Sequence, residues 1–275
     1  MSISVSDTVQ KSVNGFFQRY LPNSGFTKFL LGLSDYYWFS RQVFLSALHL
    51  RGKHLDTFVR VVINQVRFTG AQALPMLAII ALSIGATTII QAITFLPKLG
   101  QDNFIGNLLR LVIIREVGPL LTAIIVLARS GSAITAEMCT QKMHREIDSM
   151  EMMGINPYLF MVLPRLFGGI IAMVLLSSYF DVIAIMGGYL ISLMFTSFPF
   201  VTFVDHLARS VTMTDLMATL IKSVASGIVI PLTCTYYGFK PETLFQIPIY
   251  VSKAVIRSLF VVFLLNAFLS VLFYL

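Results

Sequence analysis

Four ionisable side chains lie inside stretches that are otherwise apolar: Arg115, Glu116, Asp181 and Lys222. A charge in hydrocarbon is costly unless it faces protein or a water-filled cavity. Two are cations and two are anions, so they can compensate one another. Arg115 and Glu116 are adjacent and so point about 100° apart around a helix. At least one of them must therefore face another helix. Glu116 is expected to meet Lys222, either in the same chain or in a second subunit. Such a pair serves either packing or substrate binding.

Other chemistries find less support. Arg129-Ser130-Gly131-Ser132-Ala133 places hydroxyls among small residues, but a nucleophilic serine needs an activating base. None of the four histidines, His49, His54, His144 and His206, lies in an apolar run, and their scattered positions lack metal-ligand spacing. Small residues of this kind also let helices approach closely. No phosphate-binding loop of the G-x-x-x-x-G-K-[ST] type is present, so the chain is not expected to hydrolyse ATP or to hold a cofactor of its own. Cys139 and Cys234 do not suggest a disulfide framework.

The elements that carry these residues follow from composition. Of 275 residues, 56% are hydrophobic and only 12% charged, too few charges to cover a water-soluble fold. Five runs are long enough to span a bilayer: Ala73–Ile93, Leu108–Ala128, Leu166–Phe195, Leu216–Tyr237 and Val255–Leu275. Pro75 and Pro119 fall inside two of them, which membrane helices tolerate. The runs lack the alternation of an outer-membrane barrel. The polar start shows no cleavable signal peptide. The expected fold is an all-α integral membrane protein with five transmembrane helices, an N-terminal amphipathic interfacial helix and a cytoplasmic coupling helix. Residues 1–67 form an N-terminal segment and 68–275 the membrane domain.

Basic residues orient the chain. Eight of the 20 Lys and Arg precede the first run, and the second–third and fourth–fifth connections are also basic, the latter through Lys240, Lys253 and Arg257. The alternate connections hold only Lys98, Arg110 and Arg209. This bias puts the N-terminus in the cytoplasm and the C-terminus outside. It also accounts for the net charge of +7 without a nucleic-acid partner. Within Thr27–Leu50, an apolar stripe of Phe29, Leu33, Tyr36, Tyr37, Phe44, Ala47 and Leu48 predicts a helix lying in the interface or on a partner. Asp56–Arg67 leads into the first span. The second–third connection contains a helical stretch, Ser132–Met153, stopped by Gly154 and followed by an Asn156-Pro157 turn. A helix there is well placed to be pushed by a partner.

The run REVGPLLTAIIVLARSGSAITAEM, Arg115–Met138, followed by REIDSMEMMGINPYLFMVLPR, Arg145–Arg165, closely resembles the MlaE/YrbE permease family, the membrane subunits of ABC transporters that act on lipids with MCE-domain proteins. The matching residues are Arg115, Glu116, Gly118, Pro119, Thr122, Ala123, Arg129, Gly131, Ser132, Ala133, Ala136, Glu137, Met153, Pro157, Pro164 and Arg165. Weaker similarity extends from about Val66 to Gly238. Leu127 stands where the family carries alanine, Ala128 where it carries glycine, and Asn156 where aspartate is usual. Phe245–Val255 lacks the family's glycine-rich stretch.

The resemblance implies a homodimeric permease of the bacterial inner membrane that moves phospholipid between that membrane and a periplasmic MCE-domain protein, contributing to outer-membrane lipid asymmetry. It implies separate ABC ATPase subunits that bind ATP-Mg, and an accessory cytoplasmic subunit. The lipid cavity would be lined by Ile90, Phe95, Leu96, Leu99, Glu116 and Leu120. ATPase coupling would fall to Arg129, Glu137, Arg145, Glu146, Asp148, Glu151, Met153 and Gly154. Two other classes compete on the residues alone: an ion-coupled secondary transporter using Glu116 and Asp181, which would be expected to show internal repeats, and an intramembrane enzyme.

Overall fold

A computed structural model describes residues 25–48, 55–95, 105–194 and 199–274. These residues form helices and no strands. Nine elements organise them: α1 (Gly25–Leu48), α2 (Leu55–Val66), α3 (Leu74–Phe95), α4 (Gly106–Met143), α5 (Glu146–Met152), α6 (Tyr158–Ser192), α7 (Phe200–Ser210), α8 (Met213–Gly238) and α9 (Leu244–Phe273). Five of them, α3, α4, α6, α8 and α9, are long and apolar enough to cross a membrane.

The spans are longer than their apolar runs because polar turns continue the same helices at both ends. The largest difference is in α4. Ser132–Met143 is not a separate helix on the membrane surface but the last three turns of the second span. Arg145, at φ 59°, breaks the chain there, and Gly154, at φ 73°, ends the short helix that follows. The expected Ser132–Met153 helix is thus two elements meeting at a left-handed residue. Phe245–Val255 is likewise largely the first turns of α9 rather than a loop.

Close approach between spans depends on glycine. A Cβ on Gly85 of α3 would lie 1.9 Å from the Ala184 carbonyl oxygen of α6, and one on Gly188 would lie 2.5 Å from Gly85 itself. A second crossing joins α6 to α8, where Gly227 approaches Ile170 and Gly169 approaches Pro231. Small residues let backbones touch where no hydrophobic drive separates helix from lipid. By contrast, α9 attaches through one narrow stripe, Ala254, Ser258, Val262 and Asn266, four residues apart and all buried. Its remaining circumference is open, including Ile256, Phe260, Phe268 and Leu272.

The N-terminal helix α1 docks one side on its own chain and leaves the other side open, as an interfacial helix does. Its buried side is Phe39, Val43 and Ser46, whereas Tyr37 and Phe44 of the expected stripe are exposed. Phe29, Leu33 and Leu48 lie outside the described side chains. The register is set by an aromatic cluster at the ends of α6 and α8: Phe39 packs edge-on to Tyr158 and Tyr236, and Tyr158 stacks on Phe239. The Tyr36 hydroxyl lies 3.1 Å from Thr233 Oγ1, and burial raises its pKa. Lys240 sits over the Tyr236 ring at 4.3 Å, and burial pushes its ammonium below the usual range. Next to Val66, α2 passes into a π-helical turn, Arg67–Ala71, which leads to α3.

Candidate functional site: a polar network between α4, α8 and α9

The backbone of α4 creates the site. Arg110–Val117 is π-helical, with the Gly118 N–H bonded to the Ile113 oxygen five residues back. Pro119 follows and has no N–H to give. Its missing donor, together with the change from π to α spacing at Gly118, leaves the carbonyls of Ile114 and Arg115 to find other donors in a medium without water. Both are met from α8: Thr219 Oγ1 donates to the Ile114 oxygen at 2.9 Å and Lys222 Nζ to the Arg115 oxygen at 2.7 Å.

Lys222 is 1% exposed and Glu116 36%. They pair at 3.1 Å. Lys222 Nζ donates also to Ser270 Oγ at 2.7 Å, so its three protons have three acceptors. Ser270 Oγ in turn lies 2.8 and 2.9 Å from the two Glu116 oxygens, and Asn266 Nδ2 donates to Oε2 at 3.3 Å. Thus one carboxylate gathers donors from α8 and α9 together.

A second node adjoins the first. Asp215 closes a capping box at the start of α8, accepting from the Thr212 N–H at 2.9 Å and from the Thr212 hydroxyl. Its buried carboxylate lies 3.5 Å from Arg110 and 3.9 Å from Arg115. Three cations therefore face two anions across the network. Arg110 also donates to the Ser210 carbonyl at 3.0 Å. Asp181 is elsewhere: its Oδ1 fills the notch left by the missing Cβ of Gly118, and no donor reaches it.

Of the expected cavity residues, Glu116 and Leu120 share α4, one turn apart. Ile90 and the exposed Phe95 lie on α3, which packs chiefly on α6 rather than on Arg110–Val117. Leu96 and Leu99 lie outside the described residues. The residues expected to couple to a partner divide into two groups. Arg129 and Glu137 are used inside the chain, donating to Gln72 at 2.8 Å and pairing with Arg165 at 2.8 Å. Arg165 binds the Met161 oxygen as well, tying α4 to α6. Arg145, Glu146, Asp148, Glu151, Met153 and Gly154 are exposed on and around α5, which is anchored by the buried Ile147. Lys142 reaches the Phe239 carbonyl at the end of α8. Asn156 accepts from the Tyr158 N–H at 2.9 Å and donates to Ser46 at 3.2 Å, so the residue that departs from the family pattern joins the start of α6 to α1.

Ser132 Oγ returns to the Ala128 carbonyl of its own helix at 2.6 Å, and Gly131 packs against Leu127 and Cys234. That is helix packing, not an activated nucleophile. Asp215, Arg110, Asn266 and Ser270 were not singled out from sequence. Asp215 stands just before the apolar run, and Asn266 and Ser270 are single polar residues in a run that passes as plain hydrocarbon. Their only signal is spacing, because Asn266 and Ser270 share one helix face with Ser258 and Val262.

Comparison with known proteins agrees with this architecture. The Permease MlaE family matches residues 62–272. A probable ABC transporter permease protein of Rickettsia typhi is 29% identical over 182 residues, 66% of this chain and 70% of that protein. The intermembrane phospholipid transport system permease protein MlaE of Haemophilus influenzae is 29% identical over 180 residues, 65% and 69% of the two chains. A probable ABC transporter permease protein of Synechocystis is 26% identical over 243 residues, 85% and 90% of the two chains. With its five membrane-spanning helices and a match covering most of its length, the chain belongs to the MlaE permease family.

Proposed function

We propose that this permease is the membrane subunit of an ABC transporter for phospholipid, working as a homodimer in a bacterial inner membrane. The N-terminus and α5 face the cytoplasm and the C-terminus the periplasm. Separate ATPase subunits bind ATP-Mg and dock on α5, with an accessory cytoplasmic subunit beside them. An MCE-domain protein exchanges lipid with the permease on the periplasmic side, which supports outer-membrane lipid asymmetry. The relative from Haemophilus, named for intermembrane phospholipid transport, supports the substrate class.

One observation carries the reading. The Glu116 carboxylate is part-open at the surface of the bundle, within a span, beside the span that its own chain covers least. A carboxylate turned to acyl chains is costly, so this side needs a wet cavity closed by a second copy. In that cavity the apolar flank of α9 accommodates acyl chains, and the network of Glu116, Lys222 and Arg115 meets the polar part of an amphiphile. Leu120 of α4, with Ile90 and Phe95 of α3, supplies further apolar wall. Closure of the ATPases on Glu146, Asp148, Glu151, Met153 and Gly154 displaces α5. Lys142–Phe239 and Glu137–Arg165 carry that displacement into α8 and α6, while α4 carries it to Glu116. ATP can bias the cavity only by binding its two states unequally.

The test is reconstitution with the co-purifying ATPase. A charge-assisted hydrogen bond contributes about 1.5–3 kcal/mol, so Glu116→Ala should lower phospholipid transfer by roughly tenfold or more while ATPase co-purification is retained. Unchanged transfer removes Glu116 from the site. Recovery of the chain without any ATPase under several gentle detergents overturns the ABC assignment.

A further inference from the structure

Helix α7 connects α6 to α8 at the end of the bundle opposite α5, and its circumference divides into three sectors. Phe203 and Ser210 are buried and His206 and Leu207 half-buried, all on one side. At about 100° per residue, Phe200, Val204, Ala208 and Val201 then occupy a contiguous arc of about 100°, and all four are exposed, Val201 to 80%. The remaining arc carries Asp205, Arg209 and Thr202. Asp205 and Arg209 pair at 2.9 Å, so the polar arc is close to neutral.

The protein-facing sector is fixed firmly. Phe203 stacks on Tyr189 of α6 with centroids 4.5 Å apart. A Cβ on Gly106 of α4 would lie 2.1 Å from the His206 carbonyl oxygen, so α7 rests directly on the α4 backbone. Arg110 of the polar network holds the Ser210 carbonyl. The exposed apolar arc is therefore set rigidly, and the chain passes two residues later into α8, whose first turns also expose Met213, Leu216 and Met217.

We infer that α7 is a membrane anchor lying flat in the headgroup–acyl boundary of the leaflet opposite α5, with Phe200, Val201, Val204 and Ala208 in the acyl region and Asp205, Arg209 and Thr202 in water. The occupant of the exposed arc is lipid, for two reasons: α7 leads directly into a membrane span whose first turns expose Met213, Leu216 and Met217, and its flanking charges cancel within the helix, leaving no charge to select a protein. Amphipathic helices in this position bury their apolar side about 5–10 Å into the boundary. The anchor fixes the depth at which Arg110 and Asp215 sit. This inference rests on the five-span fold and not on which substrate is moved.

The experiment uses the full chain with Cys139→Ala and Cys234→Ala and one added cysteine bearing a polarity-sensitive fluorophore, at Val201→Cys, Ala208→Cys or Thr202→Cys, in vesicles of neutral phosphatidylcholine. Labels at 201 and 208 should be blue-shifted, quenched by lipid brominated near the headgroup and protected from aqueous iodide. The label at 202 should show the reverse pattern, and high salt should alter neither. Two apolar-arc positions guard against one that perturbs folding, and retained helicity and monodispersity mark the folded samples. Equal iodide quenching at 201, 208 and 202 overturns the inference and leaves the arc as a protein-docking surface. Protection at 201 and 208 that arises only on adding a partner protein overturns it as well.

Discussion

Lys222 is bound three ways, to an ion partner, a hydroxyl and a main-chain carbonyl, and it is sealed from solvent. Removing one member of a buried pair typically costs about 3–5 kcal/mol because the other is left uncompensated. Lys222→Met should therefore lower thermal stability in nanodiscs markedly, and adding Glu116→Gln should restore part of the loss. A double variant no better than Lys222→Met would show that the carbonyl bond, not the ion pair, dominates. Gly118→Ala should also destabilise, by about 1–3 kcal/mol, since its methyl would meet Asp181 Oδ1 at 2.1 Å. The Glu116–Lys222 pairing was legible in sequence because opposite charges in apolar runs are few and expensive. Asp215 was not legible, because a carboxylate at the third residue of a helix has an ordinary local reading as a cap. Only the folded neighbours, Arg110 and Arg115, give it a second role.

At the scale of elements, hydrophobic runs reveal which segments cross a membrane but not where a helix ends. Ser132–Met143 is too polar to count as span, yet it continues α4 without a break. Periodicity found an apolar stripe on α1 but omitted Phe39, which is buried because the rings of Tyr158, Tyr236 and Phe239 receive it, while Tyr37 and Phe44 of the stripe stay exposed. Phe39→Ala should release α1, increasing protease cleavage in its vicinity while the five spans remain inserted; unchanged cleavage would mean that Val43 and Tyr36 suffice. Helix α7 was missed altogether because a short segment between spans reads as loop. Its Phe200, Phe203, Val204 and Leu207 spacing was the available sign. Gly85→Leu should part α3 from α6, and loss of a disulfide engineered between those two helices would register it.

For the whole molecule, the uneven cover of α9 is decisive. The narrow stripe from Ala254 to Asn266 fixes it to α8 and α4, and the opposite flank meets nothing of its own chain among the described residues. Phe260→Cys or Phe268→Cys should give cross-linked dimers in native membranes, since a two-fold interface brings the same patch of each copy together. Only monomer at both positions would count against the proposed homodimer closing through α9. Interaction between copies is beyond what periodicity can report, because a lipid-facing and a subunit-facing apolar side have the same composition.

Pro119 has a consequence of another kind. Hydrogen bonds inside a helix are shielded, and no incoming molecule competes for them. At Ile114 and Arg115 those bonds are supplied instead by a hydroxyl and an ammonium on a neighbouring helix, groups that can change partners. An oxygen-rich visitor that drew Lys222 toward itself would uncover the Arg115 carbonyl at the same moment. Occupancy of the network and the backbone of α4 are thereby linked variables, and a proline beside a widened turn has made the interior of a helix answerable to its surroundings.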